Sequence, residues 1–165
     1  ITVVNAPTGN AIAAAEHTIA LMAGVARKIA AADASVRRGE WKRAEFTGRE
    51  LRGRTLGIVG LGKIGQAIAA RAVAMEMTVL ASDPFVTAEQ AALHGVELVP
   101  FDRLVERADV LTVHVVVAKG YHGIEVVASV SRALREKHKL DHCTIQPEPE
   151  REEQLITIGR KAETA

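Results

Sequence analysis

Between Leu56 and Gly65 the chain reads Leu-Gly-Ile-Val-Gly-Leu-Gly-Lys-Ile-Gly, and Ala81-Ser82-Asp83 follows. Leu56 to Val59 is a short apolar run containing β-branched residues, as expected of a strand buried on both faces of a parallel sheet. Gly60 can then make a tight turn, and Gly62, without a Cβ, lets the backbone approach a ligand closely. Gly65 lets the next helix pack against the strand. Ile64, Ile68, Ala69 and Ala72 give that helix an apolar stripe, and Met77 to Ala81 reads as the next strand, ending at Asp83. Three glycines and a carboxylate in a strand, turn, helix, strand context form a dinucleotide-binding fingerprint, which is far more restrictive than the glycines alone. The competing reading is a glycine-rich turn with an incidental aspartate. On the fingerprint reading the first N–H groups of the helix face a pyrophosphate and Asp83 faces a ribose diol. The charge of Asp83 repels a 2′-phosphate and no arginine immediately follows it, which favours NAD over NADP.

The rest of the sequence fits an α/β protein with helices on both faces of a Rossmann-like parallel sheet. At 165 residues, one domain, or one domain with an appendage, is expected. The 48% hydrophobic content rests on Ala, Val, Ile and Leu with only 3% aromatic residues, which suits helices layered on a buried sheet. Lys and Arg number 21 against 20 Asp and Glu, interspersed, so no nucleic-acid stripe or membrane-binding patch is expected. No apolar run reaches the roughly 18 residues needed to span a bilayer. A lone cysteine, Cys143, excludes an internal disulfide and fits a reducing, cytoplasmic setting. It reads as a buried structural thiol rather than a nucleophile, since the sequence positions no His to activate it. The apolar start, Ile1 to Val4, looks like the interior of a longer gene product.

Along the chain, Ile1 to Val4 reads as a strand and Asn5 to Asn10 as a turn ending in an N-cap. A long helix is predicted from Ala11 to about Ala31, with Ile12, Ala15, Ile19, Met22, Ala26 and Ile29 on a narrow apolar face able to meet another subunit. A short helix from Asp33 to Arg38 and a polar connection from Lys42 to Arg54 lead to the fingerprint. The pattern then alternates: a helix near Thr87 to Leu93, a strand Val96 to Val99, a helix Phe101 to Arg107 and a strand Val110 to Val117. The tail adds a helix from His122 to about Lys137, a strand Cys143 to Gln146 and a Glu-rich end, with Pro147 and Pro149 leaving the end of the strand open. The resulting division is 1–55 for the dimerisation helices and connection, 56–117 for the nucleotide-binding core, 118–148 for a closing helix and strand, and 149–165 for a polar tail.

Several segments agree in order with one pattern: Val4 to Asn10, Ala15-Glu16-His17, Gly39-Glu40-Trp41, Leu51 to Gly65 and Asp83-Pro84. They resemble the NAD-binding domain of the D-2-hydroxyacid dehydrogenases, and among these the 3-phosphoglycerate dehydrogenases, from residue 1 to about 115. The resemblance implies NAD binding by Gly60, Gly62, Lys63, Ile64 and Gly65 at the pyrophosphate and by Asp83 and Pro84 at the adenosine ribose. It places His114 near the adenine, puts Thr8 near the nicotinamide, and makes the long helix and the Trp41 region a homodimer surface. It further implies oxidation of 3-phospho-D-glycerate at the head of serine synthesis. The family's catalytic arginine, glutamate and histidine have no counterpart in these residues, so no catalytic residue is assigned and no hydride transfer by this chain alone is expected.

After His114 the chain reads Val-Val-Val-Ala-Lys-Gly instead of the family's Pro-Leu-Thr loop. His114 to Val117, Glu125 to Val127 and Asp141 to Glu148 loosely resemble the cytoplasmic domain of cation diffusion facilitator transporters. That resemblance implies a ferredoxin-like strand-helix-strand piece and a chimeric scaffold as an alternative to the dehydrogenase reading. His114, His122, His138 and His142 all lie in this region, but His138 and His142 bracket a predicted turn and His122 sits at a helix start, so no pair fixes a metal geometry and no metal site is expected. His17 and His94 read as surface positions, and Tyr121 as a loop residue.

Overall fold

The computed structural model describes residues 10–117, 122–138 and 143–149. The elements run α1 (Ala11–Ala26), α2 (Ile29–Arg37), a 3-10 turn (Arg43–Phe46), β1 (Thr55–Val59), α3 (Lys63–Ala74), β2 (Thr78–Ser82), α4 (Ala88–Ala92), β3 (Val96–Leu98), α5 (Phe101–Arg107), β4 (Val110–Val117), α6 (Gly123–His138) and β5 (Cys143–Pro149). The predicted strand at Ile1 to Val4, together with Thr8 and Tyr121, lies outside the described residues.

Among the described residues five strands form one sheet, all parallel, in the order β3-β2-β1-β4-β5. The sequence steps outward from β1 through β2 to β3, then crosses to the other side of β1 for β4 and β5. The point of reversal lies between β1 and β4, and open α/β sheets take their ligands beyond the carboxyl ends of the strands at such a point.

Alternate residues of each strand feed two cores. Leu56, Ile58, Val79, Ala81 and Val96 pack with Ile68, Ala69 and Ala72 of α3 and with Ala15, Met22 and Ala26 of α1. On the opposite face Leu80 and Leu111 pack with Leu104 and Val105 of α5 and Leu134 of α6. α1 thus shares a core with the nucleotide-binding segment, and the helix after residue 118 helps close the other face.

The long N-terminal helix differs from expectation. It breaks at Lys28, whose φ of 54° is left-handed, and restarts at Ile29. The expected helix to Ala31 and the expected helix at 33–38 become α1 and α2. Of the expected apolar stripe Ala15, Met22 and Ala26 are buried, together with Ala11, Ala14 and Thr18, while Ile12 and Ile29 are 52% and 56% exposed. Thr18 satisfies its hydroxyl by donating to the Ala14 carbonyl at 2.9 Å. Asn10 stands at the N-cap of α1, and its own carbonyl accepts from Ala14 N–H at 2.9 Å, but its side chain makes no cap bond.

β5 continues past Gln146 through both prolines to Pro149. Among the described residues it pairs only with β4, as an edge strand, so a missing proline N–H costs no ladder bond when it faces outward. At the other edge Arg107 of α5 donates two bonds to the Glu97 carboxylate of β3, at 2.6 and 2.9 Å. These bonds hold Glu97 below the usual carboxylate range. A depressed folded pKa means that the contribution to stability is present above the ordinary carboxylate value and is lost as pH falls through the lowered one. Arg107→Gln is expected to return the Glu97 titration midpoint, read by carboxyl NMR, toward the ordinary value with little loss of stability at neutral pH, as for other exposed pairs. An unchanged midpoint refutes this.

Candidate functional site

The loop after β1 is tied down residue by residue. Gly60 has φ of 91°, open to glycine but strained for a side chain, and its N–H donates to the Ser82 carbonyl at the end of β2 at 2.9 Å. Leu61 then turns its side chain wholly into the core. Its N–H donates to Asp83 Oδ2 at 2.7 Å, and its carbonyl accepts from Gln66 Nε2 at 3.0 Å. Gly62 caps α3 in an extended conformation, with Lys63, Ile64 and Gly65 as the first helical residues.

Each glycine is explained by a different constraint. A Cβ on Gly65 would run into the Gly60 carbonyl oxygen, so helix and turn touch there backbone to backbone. Gly60 is required by its dihedral angle. Gly62 has an ordinary φ of −73° and a Cβ on it would meet no protein atom within 4 Å, so neither conformation nor packing demands glycine there. What remains is close approach by a ligand, at the end of a helix whose free N–H groups and dipole favour an anion. Accordingly, Gly62→Ala is expected to leave the melting temperature unchanged and to weaken NADH binding by about tenfold, one lost close contact or amide bond. Calorimetry on the folded variant checks it, and unaltered affinity would sink the idea.

The other expected site residues fall around this helix end. Lys63 is exposed, and Ile64 is half-buried against the core that contains β1. Asp83 follows β2 directly, with Oδ1 accepting from Phe85 N–H at 2.8 Å and Oδ2 from Leu61. Each oxygen retains a second lone pair. Pro84 is exposed beside it. His114 lies on β4 one residue beyond Val113, the partner of Val59, and so at the level where β1 gives way to the turn. One rim of the sheet therefore carries a helix amide terminus, which suits an anion, and an oriented carboxylate with lone pairs to spare, which suits hydroxyl donors.

Gln66 was missed by the sequence reading. A glutamine one residue past the fingerprint looks like any helix-surface residue, and only the three-dimensional turn brings its amide to Leu61. Among the described residues no three His, Cys, Asp or Glu side chains converge as a metal site. His17 and His94 are exposed, and His142 lies outside the described residues. No described helix is long and apolar enough to cross a membrane.

Comparison with known proteins gives the same answer as the turn. The family model described as D-isomer specific 2-hydroxyacid dehydrogenase, NAD binding domain, matches residues 19–132. The D-3-phosphoglycerate dehydrogenase of Archaeoglobus fulgidus is 51% identical over 139 residues, 84% of this chain and 25% of that protein. The chloroplastic D-3-phosphoglycerate dehydrogenase 2 of Arabidopsis thaliana is 48% identical over 112 residues, 68% of this chain and 18% of that protein. The chain thus spans a quarter or less of the length of these relatives. Among solved structures, apo D-lactate dehydrogenase from Escherichia coli aligns with a TM-score of 0.67 at 27% identity, covering 83% of this chain and 42% of the other. NAD-dependent formate dehydrogenase from Staphylococcus aureus in complex with NAD aligns with a TM-score of 0.58 at 28% identity, covering 65% and 32%.

The family match continues through β4 and into α6, past residue 115 where the sequence alone suggested that the likeness stops. It gives no support to a piece borrowed from a cation transporter or to a chimeric scaffold. With a fingerprint turn, the reversal of strand order beside it and a family match over more than half its length, the chain belongs to the D-isomer specific 2-hydroxyacid dehydrogenases and carries their NAD-binding domain.

Proposed function

We propose that this chain holds NAD(H) for a dehydrogenase that oxidises 3-phospho-D-glycerate at the head of serine synthesis, in the cytoplasm. The observation that carries the reading is the open N-cap at Gly62 beside the twice-anchored carboxylate of Asp83. The amides of Gly62, Lys63 and Ile64 receive the pyrophosphate, with the Lys63 ammonium adding charge, and Asp83 with Pro84 receives the adenosine ribose. His114, at the same rim, stands on the adenine side. The bound nicotinamide supplies the hydride acceptor. The work of this chain is to bind and orient it, since hydride transfer also needs an arginine to clamp the 2-hydroxy acid and a base for its proton, which these residues do not provide.

The relatives that carry the substrate assignment are 3-phosphoglycerate dehydrogenases from an archaeon and a plant. A homodimer through α1, α2 and the Trp41 region belongs to the same reading. Leu21, Val25, Ile29 and Val36 are exposed there, and Trp41 is 83% exposed, apolar side chains of the kind a partner subunit covers. Titration with NADH and NADPH by fluorescence, with sedimentation for the dimer, tests the reading. Saturable NADH binding with weaker NADPH binding is expected, and no binding at millimolar NADH overturns it.

A further inference from the structure

Leu61 is flanked by two peptide planes, and each is gripped from a different element. The 60–61 peptide directs its N–H to Asp83 at the end of β2, while its carbonyl faces Gly65 of α3. The 61–62 peptide directs its carbonyl to the Gln66 side-chain amide, one turn into α3. A trans peptide is planar, with C=O and N–H pointing in opposite directions. Holding the Leu61 carbonyl therefore also aims the Gly62 N–H, the first of the amides at the open helix end. With the Leu61 side chain locked in the core, rotation of either plane requires breaking the bond to Asp83 or the bond to Gln66.

We infer that Gln66 is a positioning residue for the dinucleotide, acting through the 61–62 peptide to aim the Gly62 N–H at the pyrophosphate, while Asp83 fixes the adjoining 60–61 peptide from the ribose side. The inference rests on the NAD reading of this site. Its content is that the ribose and phosphate parts of the site are set up together, before the ligand arrives, through the backbone of one residue. A site held in its bound geometry loses less conformational freedom on binding. Gln66 need touch no ligand atom to contribute.

The test uses ADP-ribose, which contains the ribose and the pyrophosphate but no nicotinamide, so that binding is read without catalysis. Gln66→Met keeps the length of the side chain and removes its N–H. It is expected to weaken ADP-ribose about three- to tenfold, the size of one hydrogen bond, and to speed amide hydrogen exchange at Leu61, whose N–H is bonded to Asp83, in the ligand-free protein while the core strands exchange as before. Gln66→Lys restores a donor of similar reach, and is expected to return the Leu61 amide to wild-type exchange. Exchange is the readout for that variant because its added charge would itself favour a phosphate.

Wild-type affinity and a protected Leu61 amide in Gln66→Met overturn the inference, as does fast exchange of that amide in Gln66→Lys. If Gln66→Met proves unstable, the lysine variant alone decides through its exchange rates. Failure of the wild-type protein to bind ADP-ribose would instead strike the NAD reading itself, so the two failures are distinguishable.

Discussion

Gly65→Ala is expected to lower the melting temperature by about 3–10 °C and to weaken NADH binding by tenfold or more at temperatures where the variant remains folded. The added methyl group would overlap the Gly60 carbonyl oxygen and crowd Ile58 Cγ2 at 3.4 Å. Neither neighbour can yield cheaply. The 60–61 peptide is held through Leu61 N–H by Asp83, Gly60 N–H is bonded to Ser82, and Ile58 is buried in the sheet. The remaining response is for α3 to move away from β1, which opens the contacts of Ile68, Ala69 and Ala72 with the core. Overpacking of this kind costs about 1–3 kcal/mol, and in a domain of this size about 2–4 °C is lost per kcal/mol. The same movement carries the helix N-terminus off its aim, because effects at a preorganised site grow steeply with displacement. Thermal unfolding and calorimetry on the one variant check both halves. A variant with wild-type melting and wild-type affinity would show that helix and turn are less closely coupled than their contact indicates.

Gly62→Ala and Gly65→Ala together separate two uses of one motif. At Gly62 a methyl group enters open space and should trouble only a ligand, whereas at Gly65 it enters backbone and should trouble the fold first. The fingerprint spacing showed where the glycines belong, and the physical chemistry of strand, turn and helix assigned each a reason that the structure lets one weigh.

The alternation of strands and helices was legible because a strand buried on both faces cannot avoid a run of branched apolar residues. α5 and β4 occur at their expected limits for that reason. The α1–α2 junction was not legible. Apolar residues continue at helical spacing straight through it, no Gly or Pro marks it, and the left-handed residue is a lysine whose ammonium bonds the Glu45 carbonyl at 3.0 Å. That bond spans seventeen positions and depends on where the polar connection folds back. The course of β5 through Pro147 and Pro149 was equally hidden, since proline excludes a central strand but not an edge, and only the strand order shows which it is. In the site, glycines and the acidic residue could be read because their backbone roles restrict residue type. Gln66 could not, because many side chains can stand on a helix surface and its role comes from the turn opposite.

Asp83→Ala should produce the largest loss of NADH affinity, about ten- to a hundredfold, together with a narrower preference for NADH over NADPH. The carboxylate accepts from two backbone amides, at 2.7 Å from Leu61 and 2.8 Å from Phe85, and still has lone pairs to offer a ribose diol. Hydrogen bonds to a charged group are worth about 1.5–3 kcal/mol each, and a tenfold change in affinity is about 1.4 kcal/mol. Losing the ribose contact alone accounts for the lower end of the range. The upper end follows from releasing the 60–61 peptide, which lets the phosphate-facing amides lose their alignment. The same variant removes the charge that repels a 2′-phosphate, so NADPH loses the help of an ordered turn but gains relief from repulsion, and its affinity should fall less than that of NADH. A simple hook on the ribose predicts another pattern: a loss confined to ligands with a free diol and a turn as rigid as before. Parallel titrations with NADH and NADPH, read with the exchange rate of the Leu61 amide, decide between them. Wild-type exchange in Asp83→Ala would reduce the residue to the hook, and wild-type NADH affinity would remove it from the site.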